Sequence, residues 1–61
     1  MSNEYSQKIK FLRERLFLTQ ADLAKRIGVS FATVYRWENG RFEPSMRYKK
    51  VISSLYDEAS K

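Results

Sequence analysis

The side chains able to do chemistry in this sequence are cationic and aromatic rather than nucleophilic. Twelve lysines and arginines stand against seven carboxylates, a formal charge of +5, and there is no cysteine and no histidine. That inventory removes disulfide frameworks, thiolate or zincin metal sites and histidine-based triads. A chain of 61 residues offers no cleft in which paired carboxylates could work, so neither an enzyme nor a cofactor is expected. The positive excess instead points to a polyanionic partner. It is spread as +2 over residues 1–18, +2 over 19–41 and +1 over 42–61, so no like-charged tail carries it. Within it, Ala32, Tyr35, Arg36 and Asn39 are spaced three, four and seven apart. That spacing sets them on one helical face, opposed to Val34 and Trp37.

Such a face needs elements to hold it, and two glycines and one proline are the only strong breakers. Tyr5, Ile9, Leu12 and Leu16 are separated by four, three and four residues, which predicts a helix from about Asn3 to Leu16. Lys8, Lys10, Glu14 and Arg15 fall on its other face; Lys8, Lys10, Arg15, Lys25 and Arg26 are read as solvated, and Lys49 and Lys50 as solvated or reaching a phosphate. A second helix opens with Thr19 as N-cap and Asp22 three residues on. It turns Leu23, Ala24 and Ile27 inward and stops at Gly28. Ser30 caps a third helix, which ends at Asn39-Gly40 and buries Val34 and Trp37. Pro44-Ser45 begins a fourth, reaching about Tyr56, with Met46, Tyr48, Val51, Ile52 and Leu55 as its apolar face. Hydrophobic residues make up 43% and aromatics 15% of the chain, which supports a folded domain. No apolar run can span a membrane. Residues 1–4 lack the basic and apolar regions of a secretory signal, so a cytoplasmic protein is expected.

The central stretch, Leu18 to Gly40, holds two short helices joined by about three residues around Gly28. So tight a turn makes the helices cross steeply, which demands a small residue at the crossing; Ala24 supplies it. Leu23, Ile27, Val29, Val34 and Trp37 form the shared core. This is a helix-turn-helix pattern.

The same stretch resembles the lambda-repressor-like, Cro/XRE-type helix-turn-helix family. The resemblance rests on Leu18-Thr19-Gln20, Leu23-Ala24, Ile27-Gly28-Val29-Ser30, Val34, Trp37-Glu38-Asn39-Gly40 and Pro44-Ser45, and with Leu12-Arg13-Glu14 it covers roughly residues 5–56. It implies an all-α fold: a compact bundle of four or five short helices forming a single DNA-binding domain over residues 1–61, with the helix-turn-helix at about 19–40. It implies a prokaryotic or phage transcriptional regulator that binds double-stranded operator DNA, usually as a homodimer. The third helix would then present Phe31, Ala32, Thr33, Tyr35 and Arg36 to the major groove. Arg36 can make a bidentate contact to guanine, and Phe31 or Ala32 can touch a thymine methyl. Gln20 matches a glutamine that contacts a phosphate and buttresses the recognition helix. Asn39 matches an asparagine that also holds backbone, and Arg41 is a further phosphate contact. Arg13 matches an arginine that pairs with the glutamate corresponding to Glu38, a structural ion pair.

Three departures from the family pattern affect these expectations. Phe17 stands where a glycine often closes the first helix, which implies a different turn. Lys49 replaces an apolar core residue, which implies a rotated fourth helix. The chain stops where many relatives add a fifth helix, which leaves a dimer contact to Tyr48, Val51 and Tyr56. Packing competes with groove contact for Phe31 and Tyr35, and Ser30 is a cap before it is a contact. Two other functions fit the same residues: a protein-interaction module such as an antitoxin, and the DNA-addressing domain of a longer protein. Gly28, Gly40 and Pro44 argue against one long membrane-surface helix. No small-molecule ligand is indicated.

Overall fold

The computed structural model describes residues 4–61 and contains four helices among them: α1 (Glu4–Leu16), α2 (Gln20–Ile27), α3 (Phe31–Glu38) and α4 (Met46–Ala59). The expected start of α1 at Asn3 lies outside the described residues. No strand occurs among the described residues. The first helix packs on α3 and α4, and α2 lies against α3.

Helices of eight residues, such as α2 and α3, are too short to persist alone, so caps and a shared core must hold them. At the start of α2, the Asp22 backbone N–H donates to Thr19 Oγ1 at 3.0 Å and the Thr19 N–H donates back to Asp22 Oδ2 at 3.1 Å. This reciprocal capping box satisfies two donors that a helix start otherwise leaves unpaired. It also holds the Asp22 carboxyl below its ordinary value near 3.8, first through the Thr19 backbone N–H and then through its hydroxyl. Ser30 caps α3 by accepting from the Thr33 N–H at 3.2 Å. Ser45 precedes α4 without a side-chain cap bond, and the neighbouring Pro44 is buried.

Three helices end in the same way. The N–H groups of Leu18, Val29 and Arg41 each bond the carbonyl five residues back, on Arg13, Ala24 and Arg36, at 2.9 Å. Each of these turns needs a left-handed residue, supplied by Phe17 (φ 55°), Gly28 (φ 94°) and Gly40 (φ 72°). Phe17 therefore makes the turn that a glycine would make, contrary to the expectation of a different one. At Gly28 a Cβ would meet nothing within 4 Å, so the backbone angle and not the space selects glycine.

Ile9, Leu12, Leu23, Ala24, Val34, Trp37 and Ile52 form the core, with Tyr5, Leu16, Leu18, Ile27, Val29, Tyr48, Leu55 and Ala59 packed partly buried around it. The apolar face of α4 differs from its sequence reading at two points. Met46 is 69% exposed, because it sits in the first turn before the helix reaches the core. Tyr48, Val51 and Tyr56, expected as an exposed dimer surface, are half-buried. Tyr48 packs on Trp37 with ring centroids 5.5 Å apart, and Tyr56 packs on Phe11 at 5.0 Å. The helix also runs on to Ala59, three residues beyond the expected end. Arg15 Nε donates to the Ala59 carbonyl at 2.9 Å, so a cation from α1 meets the negative end of α4.

Two more cations read as solvated or misplaced are used in packing. Lys8 Nζ lies 5.1 Å from the Tyr5 ring centroid and 5.2 Å from that of Tyr56. Lys49 Nζ lies 5.3 Å from the Tyr5 ring centroid and 3.9 Å from Glu43 Oε1. A half-buried lysine thus occupies a position expected to be apolar, with its ammonium beside an aromatic ring and a carboxylate. The α4 helix still buries Ile52 fully.

Candidate functional site

The outward face of α3 carries Ala32, Tyr35, Arg36 and Asn39, all exposed, while Val34 and Trp37 point into the core. Phe31 and Tyr35 are one helical turn apart and stack, with centroids 6.4 Å apart and an interplanar angle of 28°. They are 54% and 46% exposed, so the pair forms an aromatic surface rather than part of the core. Packing of Phe31 against α2, the competing expectation, does not bury it. Thr33 is half-buried, and its hydroxyl lies 2.9 Å from that of Ser30. Thr33 therefore sits at the margin of the face and helps close the helix start. Arg41 is exposed just beyond the turn that follows α3.

Glu38 anchors this helix to the rest of the fold. Arg13 Nη1 donates to both carboxylate oxygens of Glu38 at 2.8 Å, and Gln20 Nε2 donates to Oε1 at 3.2 Å. Arg13 Nε also donates to the Leu18 carbonyl at 3.1 Å, so one guanidinium binds α3 and the turn after α1. The Ser6 hydroxyl donates to the Glu38 backbone carbonyl at 2.7 Å. Thus α1, α2 and α3 meet at one residue, and the pose of α3 is set from two sides. A groove of about 330 Å³ beside this junction is lined by Lys10, Arg13, Glu14, Leu18 and Glu38.

Sequence reading missed Ser6. The signal was present: Ser6 precedes Ile9 and Leu12 by three and six residues, on the buried stripe of α1, and it is fully buried. A hydroxyl in an apolar stripe must find a partner, because leaving it unsatisfied is costly. The Asn39 amide folds back and donates to the Tyr35 carbonyl at 2.7 Å. The same carbonyl also accepts the Asn39 backbone N–H at 3.1 Å, so Asn39 closes the last turn of α3 through both its main chain and its side chain.

Among the described residues, no cluster of His, Cys, Asp or Glu is arranged to hold a metal ion. No helix among them is long and apolar enough to cross a membrane. The candidate site is an exposed face of aromatic, polar and cationic side chains on a short helix anchored at Glu38. Side chains of these kinds can hydrogen-bond, stack on flat surfaces and carry positive charge.

A family model described as helix-turn-helix matches residues 9–58, which includes all of α2 and α3. An uncharacterised HTH-type transcriptional regulator of Methanocaldococcus jannaschii is 39% identical over 49 residues, covering 80% of this chain and 74% of that protein. An uncharacterised HTH-type transcriptional regulator of Archaeoglobus fulgidus is 34% identical over 50 residues, covering 82% and 70%. The HTH-type transcriptional activator BcrR of Enterococcus faecalis is 36% identical over 53 residues, covering 87% of this chain but 26% of that protein. No solved structure is a significant match.

Proposed function

Because the chain belongs to the Cro/C1-type helix-turn-helix family of DNA-binding transcription regulators, we propose that it recognises specific sequences in duplex DNA by placing α3 in the major groove. The observation that carries this reading is the exposed face of Ala32, Tyr35 and Arg36 on a helix whose pose is fixed through Glu38 by Arg13 and Gln20. Arg36 reads guanine through two in-plane N–H groups, and Phe31 or Ala32 meets a thymine methyl. Tyr35 donates to a base or a phosphate, with Thr33 at the groove edge. Gln20 opens α2, where backbone N–H groups and the helix dipole favour a phosphate. Its side-chain amide has a second hydrogen besides the one directed at Glu38, so it can join a phosphate to the junction. Arg41 adds a phosphate contact beyond α3, and Asn39 holds the backbone beside it.

In this reading the protein acts as a homodimer on a palindromic operator, with half-sites one helical turn, about 34 Å or 10 bp, apart. If about six phosphates are neutralised, log K falls with log salt at a slope near −5. The test is selection from random duplexes at near-physiological salt. Enrichment of a palindrome supports the reading. Arg36→Ala should then cost ~1–3 kcal/mol and relax the preference at one base pair per half-site. The exposed Phe31–Tyr35 stack favours a second reading, docking of a protein partner. Under it no duplex is enriched, the salt slope lies near zero, and Arg36→Ala leaves partner binding unchanged.

A further inference from the structure

Phe42 is 61% exposed and serves neither the core nor any contact assigned above. It lies six residues beyond Arg36, past the left-handed Gly40. The turn there is pinned by the Gly40 N–H on the Trp37 carbonyl at 3.1 Å and the Arg41 N–H on the Arg36 carbonyl at 2.9 Å. These bonds fold the chain back along α3, so that Phe42 returns to the flank formed by Thr33, Arg36 and Trp37. The four side chains line a small groove of about 150 Å³. The Arg36 guanidinium carbon lies 5.8 Å from the Phe42 ring centroid, within cation–π range.

We propose that Phe42 is a positioning residue that holds the Arg36 guanidinium ready for base contact, and so sets the sequence preference without touching the base. This rests on the reading of Arg36 given under Proposed function. An arginine on a solvent-facing helix explores many rotamers, and ordering it on DNA costs affinity. An aromatic face beside the guanidinium narrows that range before the DNA arrives. The interaction uses the π-face of the ring and leaves the five N–H donors of the guanidinium, which lie in its own plane, available to guanine O6 and N7. A lysine at position 36 could not use the arrangement in this way, since its ammonium lacks the planar fork. The Thr33 and Trp37 side of the groove is tied to the helix start and the core, so the platform is backed by the rigid part of the fold.

The test is a mutant cycle read on the duplex recovered by selection and on that duplex with the Arg36-dependent base pair changed. Phe42→Ala and Phe42→Leu should each reduce affinity for the selected duplex about two- to fivefold, the worth of an exposed cation–π contact. Affinity for the changed duplex should hardly move, so discrimination at that one base pair falls by the same factor. Phe42→Tyr and Phe42→Trp should restore it. In an Arg36→Ala background, Phe42→Ala should have no further effect. In the free protein, the ring current should shift the Arg36 Hδ and Hε resonances, and Phe42→Leu should abolish that shift. A uniform loss on both duplexes, or an equal loss in the Arg36→Ala background, would show that Phe42 only supports the fold or meets the DNA itself, and would overturn the proposal. If Arg36→Ala changes no base preference, the reading of Arg36 and the role of Phe42 fall together.

Discussion

Removing Glu38 should loosen the whole domain, because three elements meet there. Its side chain is 13% exposed and accepts from Arg13 at 2.8 Å and Gln20 at 3.2 Å. Glu38→Leu leaves the Arg13 and Gln20 donors without that acceptor, and Arg13→Met leaves a mostly buried carboxylate with Gln20 alone. Breaking a fully buried pair costs ~3–5 kcal/mol. Arg13 is 29% exposed, so water can partly solvate it, and the expected loss falls to about 2–3 kcal/mol for either single change. A domain of this size has a total stability of roughly 3–9 kcal/mol, so that loss lowers Tm by roughly 10–20 °C. The double variant Arg13→Met/Glu38→Leu replaces the pair with apolar groups of similar length. It also loses the Arg13 bond to the Leu18 carbonyl and the Gln20 acceptor, so it should lie about 1–2 kcal/mol below the wild type, well short of the sum of the two single losses. Urea denaturation followed by circular dichroism on all four proteins gives the coupling. Additivity within ~0.3–0.5 kcal/mol, the behaviour of independent sites, would refute the claim that Glu38 joins α1 to α3 through Arg13.

Other perturbations test separate parts of the fold. Phe17→Gly should raise the urea midpoint, with a gain of about 0.5–1 kcal/mol: it relieves a side chain held at φ 55°, partly offset by a more flexible unfolded chain. Gly28→Ala should cost about 1–2 kcal/mol in the same assay although its Cβ has room, because the strain lies in φ alone. Ser6→Ala should cost about 1 kcal/mol, measured in the same way, through the bond it loses to the Glu38 carbonyl. The carboxyl of Asp22 is held below its ordinary value near 3.8, so its stabilising effect is complete above that pH and is lost as pH falls below it. Acid titration of wild type against Asp22→Asn should show part of the acid destabilisation missing in the variant, and identical profiles would remove the capping box from the account.

Which parts of this structure could be read from sequence follows from the range of the interactions. Thr19, Asp22, Ser30, Gly28 and Gly40 act on backbone groups within a few residues, so their types and spacing specify helix ends directly. The periods that bury Ile9 and Leu12, or Val34 and Trp37, specify faces in the same way. The neighbours of a face depend on how helices cross, which periodicity does not encode. Lys8 and Lys49 meet at Tyr5 across two helices, and Arg15 finds the end of α4 at a separation of 44 residues. Tyr48 and Tyr56 satisfy the spacing of an exposed or a buried stripe equally well, and only the packing of Trp37 and Phe11 decides between them. Phe42 follows a turn whose direction is set by the bonds at Gly40 and Arg41, so its return to Arg36 has no signature in spacing.

The central claim is that the exposed face of α3 is the surface that meets DNA, and backbone amide shifts on titration with a selected duplex test it most directly. The largest changes should fall at Phe31, Ala32, Tyr35 and Arg36, with smaller ones at Gln20 and Arg41 where phosphates pass, and little change along the middle of α4. Shifts concentrated on α4 or on the outer face of α1, with α3 unperturbed, would contradict it.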